Sequence, residues 1–190
     1  MEKHKTYPAS EGVCSRSEIE LMISKLSPSS STGLRNRAIL TVLYRCGLRI
    51  SECLSIRNSD LNFSNSHIKI LHGKGDKSRI VAIDQMAKDA ISTWLATNVR
   101  GETLFCNLNG KRMSSAYIRK IIKQLSEKAG IKHRVHAHGF RHTHAYELVS
   151  EGIPVHMIKD QLGHSNIATT DRYLNHLNPK ERIDRIGARS

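Results

Sequence analysis

The stretch HIKILHGKGDKSRIVAI (residues 67–83) reads as two short β-rich strands joined at Gly73-Lys74-Gly75-Asp76, a turn whose glycines supply positive φ. The expectation is a β-hairpin over about 66–83 with Lys74 at its tip. On both sides of this hairpin the chain turns helical. Upstream, Ser17-Glu18-Ile19-Glu20 has the S-x-x-E capping form, and Ile19, Met22, Ile23 and Leu26 follow at spacings of three and four, so a helix starts with Ser17 as its N-cap. SPSSSTG (27–33) ends it. A second helix, about 34–46, buries Ala38, Ile39, Val42 and Leu43 and stops at Gly47, which makes Gly47-Leu48-Arg49 a helix-end loop. Downstream, a capped pattern after Asp84 (Ala87, Ile91, Trp94, Leu95) runs to about Asn98, and Thr103-Leu104-Phe105 is read as one further short strand. Helices follow at about 114–129, 137–151, 154–162 and 179–186, with Gly130, Gly152 and Gly163 as stops and Pro154 at a start. One hairpin among this many helices gives an α+β fold, mainly helical, with a small antiparallel β-sheet.

The 190 residues carry 30 Lys+Arg against 17 Asp+Glu, a formal charge of +13 that calls for an anionic partner. At 38% hydrophobic and 25% charged, the composition is that of a globular chain with a real core, not a disordered one. Residues 1–16 are polar and aperiodic, so they read as a flexible N-terminal arm, and 17–190 as one domain. No run approaches the roughly 20 apolar residues of a membrane span, and the N-terminus lacks an apolar signal core, so a cytoplasmic, nucleoid-associated location is expected, with no membrane partner. Cys14, Cys46, Cys53 and Cys106 form no short-spaced framework and read as reduced, mostly buried thiols. The charge is uneven. From Lys111 to Arg141 there are nine bases and one acid, Glu127, where a solvated helix would interleave the two signs.

Five polar segments place reactive groups at element ends: Gly47-Leu48-Arg49-Ile50-Ser51-Glu52, Gly73-Lys74-Gly75-Asp76-Lys77, His138-Gly139-Phe140-Arg141-His142, Leu162-Gly163-His164 and Asp171-Arg172-Tyr173. Any one alone reads more simply as a surface ion pair or a packed side chain. Taken in order, Arg49, Lys74, His138-x-x-Arg141, His164 and a Tyr nine residues later closely resemble the tyrosine recombinase (phage integrase) family. GLRISE, GKGDKSRIVAI, HGFRHTHA and LGHSNIATTDRYL carry the resemblance, which spans about residues 17–186. Gly139-Phe140 departs modestly from the apolar pair many members have there, which touches packing more than chemistry.

The resemblance implies the tyrosine recombinase catalytic fold and a DNA strand transferase that works through a covalent 3′-phosphotyrosine, without metal, ATP or other cofactor. Physical chemistry agrees with the assignments. Arg49 and Arg141 each present a planar fork of N–H donors to a phosphodiester and stabilise the extra charge of a phosphorane-like transition state. His138, three residues before Arg141 on a helix, faces the same way and is the candidate general acid/base. The family assigns Lys74 to protonating the departing 5′-hydroxyl, a role the hairpin tip permits, and His164 to hydrogen-bonding a non-bridging oxygen. Tyr173 is the expected nucleophile; a phenol with a pKa of about 10 needs nearby cations or a base to attack at neutral pH. Glu52 is expected to orient the active-site cations from behind, or else to form a local ion pair. Lys111, Arg112, Arg119, Lys120 and Lys123 are the expected DNA-binding set, with Ser114 and Ser115 at a helix start. His133, His136, His142 and His144 match no metal-ligand spacing, so no metal site is expected. Tyr7, Tyr44, Tyr117 and Tyr146 follow no LGH segment and read as packing or DNA contacts.

The implied partners are a double-stranded DNA recombination site and further copies of the chain, as a tetramer on paired sites and a monomer off DNA, with accessory DNA-bending proteins. Most members carry an N-terminal DNA-clamping domain for which these 190 residues have no room, so the chain is either a short recombinase or the catalytic part of a longer integrase. Residues 174–190 dock on a neighbour or fold back in cis; apolar spacing does not separate the two. Two competing readings share the fold: a DNA-binding regulator, opposed by the complete catalytic set, and a type IB topoisomerase-like nicking and closing enzyme, opposed by the absence of large clamp domains.

Overall fold

A computed structural model describes residues 13–71 and 78–163. Lys74, His164, Tyr173 and the helix expected over 179–186 lie outside the described residues.

Helix α1 spans Arg16–Ser24. Its N-cap is Ser15 rather than Ser17: the Glu18 N–H donates to Ser15 Oγ at 3.2 Å and the Ser15 N–H donates to Glu18 Oε2 at 2.8 Å. That reciprocal pair satisfies two donors at the helix start and turns Ile19 and Met22 inward. Packing therefore begins before Ser17. Cys14 is fully buried, and its carbonyl accepts a hydrogen bond from Thr143 Oγ1. The expected arm does not reach residue 16.

Helix α2 (Ser31–Arg45) starts three residues earlier than expected because Ser30 caps it, accepting the Gly33 N–H at 3.1 Å. It is the central helix: Ala38, Ile39, Leu40, Val42, Leu43 and Tyr44 are all buried, too many for one stripe, and α1, α3, α4 and α6 pack around it. The chain leaves α2 through Gly47, whose φ of +63° fits the left-handed position after a helix. A short helix α3 (Ile50–Ser55) follows, then a 3-10 turn at Asn58–Asp60.

The sheet has three antiparallel strands in the order β1 (Leu61–Asn62), β2 (His67–Ile70), β3 (Arg79–Ala82). The expected hairpin is β2–β3, in the register His67↔Ala82 through Ile70↔Arg79. The third strand is β1, not Thr103–Phe105. The latter segment is buried, and its polar groups are met singly: the Leu104 N–H donates to Ile56 O at 2.7 Å, and Trp94 Nε1 donates to Leu104 O at 2.7 Å. No ladder forms there. The outer edge of β3 is covered by one side chain, since Gln161 accepts the Ala82 N–H at 2.9 Å and donates back to Ala82 O at 3.0 Å, as a neighbouring strand would.

Helix α4 (Gln85–Leu95) is capped by Asp84, which accepts the Ala87 N–H at 2.9 Å, and it ends before Asn98, whose φ is +59°. Helices α5 (Ser115–Lys128), α6 (Ala137–Ser150) and α7 (Val155–Leu162) fall within a residue or two of expectation. The main core lies around α2; a smaller one, Ala145, Val149, Ile158 and Leu162, forms where α6 meets α7. All four cysteines are free and buried, and burial, with Glu18 nearby, pushes the Cys14 thiol up to about 12. No helix among the described residues is long and apolar enough to cross a membrane.

Candidate active site

Arg141 sits on the first turns of α6 with 1% of its surface exposed. Burying a guanidinium is costly unless its donors are met. Two backbone carbonyls meet them here: Nη1 donates to Gly47 O and Nη2 to Leu162 O, both at 2.6 Å. Arg141 thus joins the end of α2 to the end of α7. Gly47 makes this approach feasible, because a Cβ at that position would lie 2.6 Å from His144 Cδ2 and 2.7 Å from Leu162 Cδ2.

His138 lies one turn before Arg141 and, unlike it, is exposed. Its ring stands edge-on to His142 with centroids 4.3 Å apart, and His136 is 6.4 Å away. Partial burial, then the charges of Arg141, His136 and Arg49, hold its pKa below the ordinary imidazole value. That shift favours the neutral imidazole, the form able to take a proton. His136 caps α6 by accepting the Gly139 N–H at Nδ1, 3.2 Å away, and the loop that carries it is tied to α1 where His133 Nε2 meets Glu18 Oε1 at 3.0 Å.

Arg49 precedes α3, and Glu52 lies in its first turn. Glu52 is 4% exposed, yet its carboxylate is fully occupied. Oε1 accepts from Arg49 Nη1 at 2.7 Å and Arg79 Nη1 at 2.9 Å; Oε2 accepts from the Arg49 N–H at 2.9 Å and Arg79 Nη2 at 3.0 Å. Burial acts to raise the Glu52 pKa, but the bonds and charge of Arg79 and Arg49 win and hold it at about 2. At neutral pH it is a carboxylate. The sequence reading missed Arg79. A signal was present: two-residue alternation puts Arg79 on the same face of β3 as the buried Val81, and an inward-facing arginine needs a buried partner.

Arg49, His138 and Arg141 line one open cleft of about 530 Å³, together with Ser51, Ser115, Arg119, Arg134 and His136. Three of the six expected catalytic residues therefore meet across α3 and α6. Among the described residues the cleft presents cations and neutral donors and no carboxylate on its lining, the chemistry for a phosphodiester. Among the described residues no group of three or more His, Cys, Asp or Glu side chains is placed to hold a metal ion.

The expected DNA-binding residues separate into two groups. Arg119 lines the cleft, and with Lys120 and Lys123 it also lines an adjoining groove of about 780 Å³ whose other wall carries Lys132 and Arg134. Lys111 and Arg112 line neither. Arg112 is paired with Glu102 through Nη2–Oε1 at 2.5 Å and Nε–Oε2 at 3.1 Å, so its charge is already met within the chain.

A sequence profile of the phage integrase family matches residues 13–180. A tyrosine recombinase of Pseudothermotoga lettingae is 34% identical over 164 residues, covering 86% of this chain and 57% of that protein. Among solved structures, the XerA recombinase superposes with a TM-score of 0.79 at 30% identity, covering 96% of this chain and 67% of that one. The XerH recombinase bound to its difH substrate before cleavage superposes at 0.77 and 26%, covering 97% and 55%. The chain spans a little over half the length of the curated relatives it matches.

Proposed function

The chain belongs to the phage integrase family of tyrosine recombinases, and on that premise we propose that it cuts and rejoins duplex DNA at a specific site through a covalent 3′-phosphotyrosine. The observation that carries this reading is the cleft in which Arg49, His138 and Arg141 meet, with no carboxylate on the lining among the described residues.

In the proposed reaction the scissile phosphate enters this cleft and the guanidinium groups of Arg49 and Arg141 bind its non-bridging oxygens. The Tyr173 Oη attacks phosphorus while the bond from phosphorus to the 5′ oxygen breaks. Neutral His138 accepts the phenol proton, and Lys74 gives one to the departing 5′ oxygen; His164 adds a hydrogen bond to the phosphate. Cations fixed in place stabilise the added charge of the five-coordinate phosphorus, the task a metal ion performs in other phosphoryl-transfer sites. The products are a phosphotyrosine and a free 5′-hydroxyl. The hydroxyl of a second strand reverses the step on the new partner, and because the phosphodiester energy is retained in the phosphotyrosine, no ATP enters. Exchange between two duplexes needs four active sites, hence a tetramer on DNA; a charge of +13 opposes assembly until phosphates neutralise it.

The test is to incubate the protein in EDTA with duplexes nicked so that cleavage traps the protein on the DNA. A covalent protein–DNA complex that resists denaturant is expected from the wild type and none from Tyr173→Phe. No complex with the wild type would sink the proposal.

A further inference from the structure

Arg79 belongs to no part of the reaction as drawn, yet it holds both oxygens of Glu52 at 2.9 and 3.0 Å. We propose that Arg79 is a positioning residue that neutralises Glu52 and so leaves the positive charge of Arg49 for the scissile phosphate, an inference that rests on the strand-transfer reading above.

The charge count carries the argument. Arg49, Glu52 and Arg79 form one cluster of net charge +1, in which a single carboxylate is shared between two guanidinium groups. Arg79 is the more enclosed, with 13% of its side chain exposed against 37% for Arg49, and Arg49 is the one on the cleft. Arg79 therefore takes the carboxylate as its counter-charge, while Arg49 is fixed by one bond from Nη1 and one from its backbone N–H. Without Arg79 the remaining Arg49–Glu52 pair is neutral overall. An incoming phosphate then meets a cation whose charge is already matched, beside a buried carboxylate that has lost half of its hydrogen bonds.

The position of Arg79 is itself fixed from two further directions. Its Nε donates to Gln161 O at 3.3 Å, and its guanidinium lies under Gly163, where a Cβ would come within 2.8 Å of Arg79 Cζ. The side chain is thus clasped between α3 and the last turn of α7, and it cannot swing into the cleft and bind phosphate in place of Arg49. Its effect on the reaction runs through Glu52.

The experiment compares single-turnover rates of covalent complex formation, in the assay above, for the wild type, Arg79→Met, Arg79→Lys and the double variant Glu52→Gln/Arg79→Met, with a thermal transition recorded for each. Arg79→Met is expected to be slower by about 10- to 100-fold, the scale of one unit of charge acting across a partly buried site. Arg79→Lys keeps the charge and is expected to lose less. The double variant returns the cluster to +1 and is expected to recover most of the lost rate. A purely structural Arg79 predicts the opposite, because the double variant lacks even more hydrogen bonds. Arg79→Met within twofold of wild type overturns the inference, as does a double variant that fails to fold or is no faster than Arg79→Met. If Arg79→Met alone fails to fold, an active double variant still supports it. A wild type that forms no complex overturns the strand-transfer reading, and this inference with it.

Discussion

The guanidinium of Arg141 reaches across from α6 to donate to the carbonyl of Gly47 at 2.6 Å, and a side chain at residue 47 would run into His144 and Leu162, the residues packed around that contact. Gly47→Ala combines a left-handed backbone with a Cβ placed 2.6 Å from His144. It is expected to cost about 2–4 kcal/mol of stability in urea denaturation, and to slow covalent complex formation about 100-fold by displacing Arg141. An unchanged rate would show that the Arg141–Gly47 contact does not set the site geometry.

In the proposed reaction, His138 as proton acceptor implies a defined pH dependence. Its pKa lies below 6.5, lowered first by burial and then by Arg141, His136 and Arg49. The neutral form, which accepts a proton, dominates above that value, so the cleavage rate should be level near neutrality and fall as pH drops through the imidazole pKa. His138→Gln is expected to be slower by about 10²–10⁴-fold and to lack this acid limb. A limb that persists in the variant would assign the titration to another group.

His144 governs stability rather than chemistry. Burial, then the charge of Arg45, lowers its pKa from 6.5 to about 4, and its Nε2 has no hydrogen-bond partner among the described residues. Above pH 6.5 the imidazole is neutral folded or unfolded and stability is full. Between 6.5 and 4 the unfolded chain binds a proton that the native state refuses, so stability declines as pH falls, by about 3 kcal/mol in all. His144→Leu should remove about one proton from the slope of unfolding free energy against pH in that window, measured by urea titrations. Glu52 acts in the same sense lower down, as pH falls from 4.5 towards 2.

The basic residues between 111 and 123 should separate by salt dependence. Arg119 and Lys120 line the groove beside the cleft, whereas Arg112 is held by Glu102. Arg119→Ala or Lys120→Ala is expected to reduce the slope of log binding constant against log salt by about one unit each, and Arg112→Ala by much less. Equal slopes for the three variants would remove the distinction between the groove cations Arg119 and Lys120 and the paired Arg112.

Much of this was legible in the sequence because caps and periodicity agreed. The Asp84 cap and the stops at Gly47 and Gly163 rest on backbone demands that few residues meet, and the β-rich runs at 67–70 and 79–82 mark the two paired strands. Ser15 was harder, since Ser15–Glu18 and Ser17–Glu20 both fit the capping pattern, and the burial of Cys14 and Ile19, a tertiary effect, decides between them. Helix α3 and strand β1 are six and two residues long, too short to show a period. Arg49, Glu52, His138 and Arg141 were found through the motif order, and the structure brings them together. Alternation along β3 shows that Arg79 faces inward but not that its partner is Glu52 of α3, and the cap that His136 provides, though local, uses a residue outside the usual capping set.

In the proposed reaction Tyr173 carries the DNA. Its most direct test is to digest the covalent complex with protease and nuclease and determine by mass spectrometry which residue bears the nucleotide. A 3′-nucleotide phosphate on Tyr173 alone, formed in EDTA, is expected; a nucleotide on any other side chain, or a complex that forms only with added metal, would rule out Tyr173 as a metal-independent nucleophile.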